Sequence, residues 1–578
     1  MISKTPQFDA ALDAILKPLV PHERVCAQCK TAFKIEAEDI EFYRMLRVPP
    51  PTLCPLCRKK RRFGHLMRVP KFFKRPCQAP GHAESVVSIL PPEAPHHAFD
   101  FAYWHSDAWD AAAFGMEYNA SEPFFPQFRE LFFTVPHVSL DRDPAAVDAD
   151  YSVGGTASKN VYCSGMVFKS EDVRYCYDSR YSRDLTDCSV VSHSERCYQS
   201  VGSWYCNQCL YVVGCSHYID CSFLYDCKNC SHCFLSSNLR NRFYVFRNQE
   251  LPEAEYKKRV REFRLSDRDR VNALRNEFEG VMKNALHRSV QTTHVMRSIG
   301  DSIAECKQCS FVFKSEKSEN IRYGDNLVSA RDSMDDLNNV QTERLYEVVV
   351  IGWGNENRFS MYLRHSSSLE YCSECLQCSN CFGCVGLKNK QFHIFNVLYA
   401  EDEYWERVDE LKTAMLARGE YGEFFPSSLG LFPYQSSNAQ KEFPLTEAEA
   451  KRQGIPWYDE PASDIPTNMR LRRAPGEVPA DIKDVTDEIL NEAIVCEASG
   501  KPFRITKNEL EFYRRMNLPL PTKHPWERMQ ERAKWEHRVW LYPFTCPKCG
   551  EQSSSVYTEE EQKQYRIYCE KCYLKEVV

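Results

Sequence analysis

The 578-residue chain is most easily read first through what it lacks. No stretch reaches eighteen consecutive apolar residues, so the sequence contains no membrane span. The opening MISKTPQFDAALDAILKPLV has no basic start, continuous apolar run or small-residue cleavage site, so it is not an export signal and the expected compartment is the cytoplasm. The charge nearly balances at −6, so nothing global calls for a nucleic acid or an acidic ligand, and any electrostatic role is local. There is no P-loop, nucleophile elbow, dinucleotide fingerprint or open zinc site, which removes the usual handles for an enzyme.

What is present is cysteine, 28 in all. In a reducing compartment disulfides do not persist, so these residues are metal ligands, reactive thiols or small buried hydrophobes. A chain of this length divides into about three to five structural units, and its 43% hydrophobic content suffices for globular folding.

Two stretches carry the same framework. Residues 26–57, CAQCKTAFKIEAEDIEFYRMLRVPPPTLCPLC, align without gaps on 496–527, CEASGKPFRITKNELEFYRRMNLPLPTKHPWE, at a constant shift of 470. The first copy places Cys26, Cys29, Cys54 and Cys57 as C-x2-C-x24-C-x2-C, the pattern of two knuckles completing a tetrahedral four-cysteine zinc site in a zinc-ribbon or treble-clef unit. In the second copy Cys496 remains, but Ser499, His524 and Glu527 stand at the other three places. Mixed coordination there competes with a silent site held by apolar residues, and the sequence favours the latter. Further on, at a shift of 469, the losses reverse. Cys546, Cys549, Cys569 and Cys572 form a second complete set, opposite Cys77, Pro80, Asp100 and Tyr103. The expectation is two structural zinc ions, one near each end, with no open position for water and no catalytic residue.

Between the modules, cysteines recur at twelve-residue spacing, as in SEDVRYC (170–176) and SRDLTDC (182–188), with one longer step of 21 that reads as a shortened pair of rungs. A period near twelve, rich in β-branched and aromatic residues separated by Asn, Asp, Ser and Gly, predicts a β-solenoid, a parallel β-helix-like fold with cysteine filling an interior column. The pattern returns as SENIRYG (318–324) and in the run Cys372, Cys375, Cys378, Cys381, Cys384. PEAEYKKRVREF (252–263) matches AEDEYWERVDEL (400–411), and both read as helical caps. An iron–sulfur cluster or extra zinc in the cysteine runs competes with simple packing.

The expected class is therefore mainly β with helical caps. A helix at 1–25, on the spacing of Phe8, Leu12, Ile15, Leu16 and Leu19, precedes a zinc module at 26–104 and an aromatic connecting segment at 105–150. Solenoid segments at 151–248 and 301–397 are each followed by a cap, at 249–300 and 398–431. An extended linker with a short helix at 445–453 covers 432–485, and the second zinc module covers 486–578. The aromatic density over 99–135 reads as core or interface ahead of a stacking surface for sugars or bases.

FYRMLRVPPPTLCPLCRKKRR, the repeated YC rungs, LKNKQFHIFN, IKDVTDEILNEAIVCEASGKPF and YCEKCYLKEV together resemble a family of cysteine-rich zinc-ribbon proteins with solenoid-like cysteine repeats from uncultured bacteria, over nearly the whole chain. In that family the counterpart of Cys496–Glu527 is a complete four-cysteine site, so this chain departs from it there. The resemblance implies zinc binding and no particular activity.

Three functions are open at this level. Arg58, Lys59, Lys60, Arg61, Arg62, Arg68, Lys71, Lys74 and Arg75 form a basic stretch with interleaved aromatics, a candidate nucleic-acid surface beside a rigid knuckle, unless these charges pair with acids elsewhere in the chain. A solenoid with zinc modules at both ends suits a scaffold for protein partners. A carbohydrate-active β-helix enzyme is the third reading, with Asp172, Asp184, Asp187 and Asp220 as acid–base candidates, although Asp and Asn are also common at solenoid corners.

Overall fold

A computed structural model describes residues 3–458, 468–473 and 475–577. Part of the expected linker, at 459–467 and 474, lies outside the described residues. The molecule is strand-rich, with a fourteen-stranded sheet, further sheets of eight and four strands, and helices at the ends and between them.

The large sheets have one repeating rule. Leu185 pairs in parallel with Val173 on one side and Cys197 on the other, and Cys381 pairs with Leu369 and His393, so each residue meets the one twelve positions on. Every third residue from Ala157 to Arg247, and again from Ser302 to Phe395, has a positive φ. Each twelve-residue register step thus contains four left-handed residues, with short strand segments between them. Such corners cost ordinary L-residues about 1–2 kcal/mol each, least for Asn and Asp. Parallel hydrogen bonding to the rungs above and below offsets that cost.

The residue after each corner faces inward, as with Val173, Cys176, Ser179 and Ser182, all buried. This explains why serine and cysteine recur. Many of them take the N–H of the residue twelve positions on: Ser164 Oγ from Cys176 at 3.0 Å, Ser170 Oγ from Ser182 at 3.0 Å, Cys176 Sγ from Cys188 at 3.3 Å. Many also donate to the carbonyl two residues back, Cys176 to Arg174 at 3.2 Å and Cys372 to Glu370 at 3.4 Å. The thiols thus fill the interior and satisfy backbone groups that a Val would leave unpaired. The 21-residue step between Cys188 and Cys209 is not a shortened rung. Ladder pairs such as Val191 with Ser203 and Leu210 with Ser222 keep the twelve-residue register. Cysteine has moved from one inward column to another, which any multiple of three allows.

Each stack ends in an antiparallel strand followed by helix. Phe243–Phe246 turns back on Gln249–Glu250 before helices Glu253–Glu262 and Arg268–Asn284; Gln391–Ile394 turns back on Val397–Leu398 before helix Glu401–Ala417. Helix Pro6–Leu16 buries Phe8, Leu12 and Leu16 and leaves Ile15 exposed. Its first turn is held by Asp409, which accepts from the N–H groups of Gln7 and Phe8 at 3.0 and 2.7 Å, an acid at a helix N-terminus. The aromatic segment is core: Phe124 and Phe128 of helix Phe124–Thr134 pack against Tyr371, Phe382, Phe395 and Phe425.

The modules cross over. The first, near the N-terminus, sits on the second stack, and the one near the C-terminus sits on the first.

Candidate metal centres

Both live knuckles are built from a two-stranded hairpin and the start of a helix. His22–Val25 pairs with Ala32–Ile35, and Tyr542–Thr545 pairs with Gln552–Ser555. Each hairpin closes through a residue four past its first cysteine in the left-handed region, Lys30 at φ 63° and Gly550 at φ 75°. The N–H of that residue reaches back to the cysteine carbonyl, Lys30 to Cys26 at 3.1 Å and Gly550 to Cys546 at 2.9 Å. The third cysteine leads into a helix, Pro55–Phe63 after Cys54 and Glu570–Val577 after Cys569.

The four sulfurs of Cys26, Cys29, Cys54 and Cys57 lie within 4.8 Å of one another, as do those of Cys546, Cys549, Cys569 and Cys572. A tetrahedron with metal–sulfur bonds of about 2.3 Å has edges of about 3.8 Å. The Cys29–Cys54 and Cys549–Cys569 separations are 3.8 and 3.7 Å, so the donor sets fit an ion held by four thiolates and are far from disulfide bonding. Local hydrogen bonding lowers one buried thiol in each set. The Cys57 thiol and backbone N–H draw Cys54 down to about 6, against the pull of burial. Burial acts against Cys546, yet the N–H groups of Cys569, Cys549 and Lys548 bring it to about 6. Other thiols move upward, Cys57 through its contact with Cys54 and burial, and Cys569, to about 12, and Cys572 chiefly through burial.

The silent partners keep the scaffold. Gly81 and Gly500 take the same left-handed position at φ 79° and 69°, and Gly500 N–H reaches the Cys496 carbonyl at 2.9 Å. The backbone N–H that reaches sulfur in the live sites, Cys54 to Cys26 at 3.3 Å and Cys569 to Cys546 at 3.4 Å, persists as Asp100 to Cys77 at 3.2 Å. The replaced third ligand has become a helix cap: Asp100 accepts from Tyr103 N–H at 2.7 Å and His524 from Trp526 N–H at 3.2 Å. Packing tells the two kinds apart. The buried clusters at the live knuckles are small and made largely of the cysteines themselves, with Leu53 in one and Phe544 and Ile567 in the other. Cys496 instead belongs to a broad apolar core with Phe503, Leu510, Phe512 and Leu520, and Cys77 packs with Phe99, Trp104 and Val138. Apolar burial surrounds the single cysteine where the other three ligands are missing.

The basic stretch requires a correction. Arg58, Lys59, Arg62, Arg68, Lys71 and Arg75 are buried, Lys60 and Arg61 half-buried, and only Lys74 exposed, so no continuous basic surface forms over 58–75. On helix Pro55–Phe63, Arg58 and Arg62 grip Asp335 of the second stack at 2.8 and 2.9 Å. Arg62 also meets Glu347, Arg61 meets Glu423, and Lys59 meets Asp325 at 2.9 Å. Burial opposes the charge on Arg58, and Asp335 outweighs it. Arg68 pairs with Glu536 over the Tyr177 ring, and the Arg75 guanidinium donates to the carbonyl of His96 at 2.7 Å.

The second module repeats the grip. On helix Pro525–Ala533, Arg528 and Arg532 hold Asp187 of the first stack at 3.0 and 2.8 Å. Arg528 lies over Tyr175 as Arg58 lies over Tyr323. The arginines repeat at a shift of 470, and both Asp187–Asp335 and Tyr175–Tyr323 at a shift of 148. Two copies of one clamp hold two copies of a module on two copies of a stack, crossed. The proposed acid–base carboxylates are engaged in the same architecture. Asp172, Asp184, Asp187 and Asp220 all occupy left-handed corners. Asp184 pairs with Arg174 and Arg515, Asp172 accepts from Asn160 at 2.9 Å, and Asp220 meets His232 at 3.0 Å.

Fold and site together define a cysteine-rich, metal-binding protein. No protein-family model matches the chain, and no curated protein matches it. Among the described residues no helix is long and apolar enough to cross a membrane.

Proposed function

We propose that the protein is a zinc-stapled, non-enzymatic scaffold in which each parallel stack is a β-solenoid of four-sided rungs, twelve residues per turn. Both thiolate-bound ions act structurally, because four thiolates close the coordination sphere and leave no place for water or substrate. The observation that carries this reading is the convergence of each four-sulfur set on one centre, within 4.8 Å, beside clusters too small to hold the knuckle unaided. Zinc suits an all-thiolate tetrahedron. The iron–sulfur alternative has less support, because the thiols of the Cys372–Cys384 run donate to backbone carbonyls such as those of Glu370 and Leu376. Elemental analysis of purified protein tests the proposal, with about two zincs per chain expected. Iron with acid-labile sulfide, or protein that stays folded and metal-free, would overturn it.

A further inference from the structure

A cleft of about 1630 Å³ separates one side of the first stack from the matching side of the second. It exceeds the roughly 300–1,000 Å³ of an ordinary small-molecule site. Its walls are flat strand faces, cleared at three glycines. A Cβ at Gly214 or Gly352 would meet nothing within 4 Å, and one at Gly202 only the backbone of Gly214 at 3.9 Å. Other left-handed corners here carry Tyr, Arg or Gln, so the backbone does not demand glycine at 202 and 214. Their effect is to keep the wall open around Trp204.

Trp204 lies between Ser192 and Ser216 on the ladder, is 38% exposed, and among the described residues stacks on no other ring. Beside it run Tyr181, His193, Tyr205 and His217, stacked at 4.8 Å, with the Ser192 hydroxyl on His193 Nδ1 at 2.8 Å. The opposite lip carries Trp353 on His365 at 4.9 Å, the counterparts of Tyr205 and His217 under the 148 shift. Twelve Arg and Lys face nine Asp and Glu around the cleft, a basic balance in a chain of net charge −6. Among the described residues Lys169, Lys228, Lys283 and Lys534 of the lining have no carboxylate partner, against only Glu279 and Glu316 on the acidic side.

We propose that this cleft binds single-stranded nucleic acid. Its volume, beyond that of a small-molecule site, suits a polymer. Trp204 offers a face to a base, ring edges and serines offer hydrogen bonds, and unpaired lysines meet phosphates, the combination that single-strand grooves use. A neutral glycan would use the indole but not the excess of cations. This site replaces the buried 58–75 stretch as the polyanion surface and does not depend on what metal the knuckles hold.

The test is fluorescence anisotropy of labelled U20 and dT20 with zinc-loaded full-length protein at 50 and 200 mM salt, with a DNA duplex and heparin as competitor arms. Binding is expected to fall about 50-fold between the two salts if four phosphates are neutralised. Trp204→Ala should weaken it about tenfold, and Gly214→Trp, which fills the cleft without touching a ladder bond, should weaken it at least as much. Zinc content and circular dichroism on the same samples report folding separately. Absence of binding at 50 mM salt, binding indifferent to both substitutions, or heparin competing through the lysines with no dependence on Trp204 would each overturn the proposal.

Discussion

The two end modules share one framework, yet each has kept a different half of its metal equipment. In the first, the four-cysteine site lies at the head of the clamp helix, because Cys54 and Cys57 immediately precede Arg58 and Arg62. In the second, the clamp helix starts from His524 as an ordinary cap, and the four-cysteine site lies farther along the chain, where strand Arg566–Tyr568 pairs with Leu286–Arg288. One module is docked by the helix that leaves its four-cysteine site, the other by a helix remote from it in the chain. The difference teaches that a metal knuckle and a buried apolar cluster are interchangeable supports for the same helix, provided the helix still delivers its two arginines.

The largest effect should come from the ions. Cys29→Ser and Cys549→Ser should each lower the zinc content from about two to about one per chain. Because structural zinc supplies on the order of 10 kcal/mol to small domains, the affected module should unfold locally. Hydrogen exchange should then rise around Asp335 for Cys29→Ser and stay low around Asp187 for Cys549→Ser. Equal loosening of both clamps would erase the contrast.

The clamps come next. Asp187→Ala and Asp335→Ala each strand buried guanidinium groups, at a cost of about 3–5 kcal/mol. Asp187→Ala should cost more, because Arg62 retains Glu347 at 3.2 Å, whereas the remaining acid near Arg528 is Glu509 at 3.6 Å. Denaturant unfolding of both variants checks the order.

A pH effect at one position, His65, has no counterpart in the second module. His65, packed edge-on to Phe424 and facing Arg61 and the carbonyls of Phe425 and Pro426, is held neutral by burial, its pKa lowered to about 4. The second copy has Trp535 there. The unfolded chain takes up a proton below about pH 6.5, so this stability, complete above that pH, is lost as pH falls towards 4, by about 2 kcal/mol at pH 5. Denaturation midpoints at pH 7.5 and 5 should therefore converge in His65→Gln relative to the parent protein; an unchanged slope would remove His65 from the account.

The smallest effect is expected at the silent cysteines. Cys77→Ser and Cys496→Ser should leave two zincs in place and cost about 1 kcal/mol of lost apolar burial each. A fall in zinc content would make those sites ligands after all.

Much of this was legible in the sequence where the information is local. C-x2-C pairs announce their partner by spacing, and the shifts of 470 and 148 expose both duplications. The three-residue unit beneath the twelve-residue period was hidden, because Ser, Val, Leu and Cys serve the inward position equally and only cysteine catches the eye. The basic stretch misled for a different reason. Asp335 and Glu347 lie nearly three hundred residues from their arginines, and no local pattern reveals such a partner. A signal did exist: Arg58 and Arg62 reappear as Arg528 and Arg532, and Asp335 as Asp187, while the neighbouring lysines do not repeat. Side chains that survive in both copies together with their partners belong to the docking.

The crossed arrangement also governs how the polypeptide tolerates truncation. A fragment ending after the first stack would carry an N-terminal module whose seat is missing and a stack whose rider is missing, exposing two desolvated arginines on one and an uncovered aspartate on the other. Neither half is therefore an autonomous folding unit, and expression of the intact chain is the shortest route to a stable product.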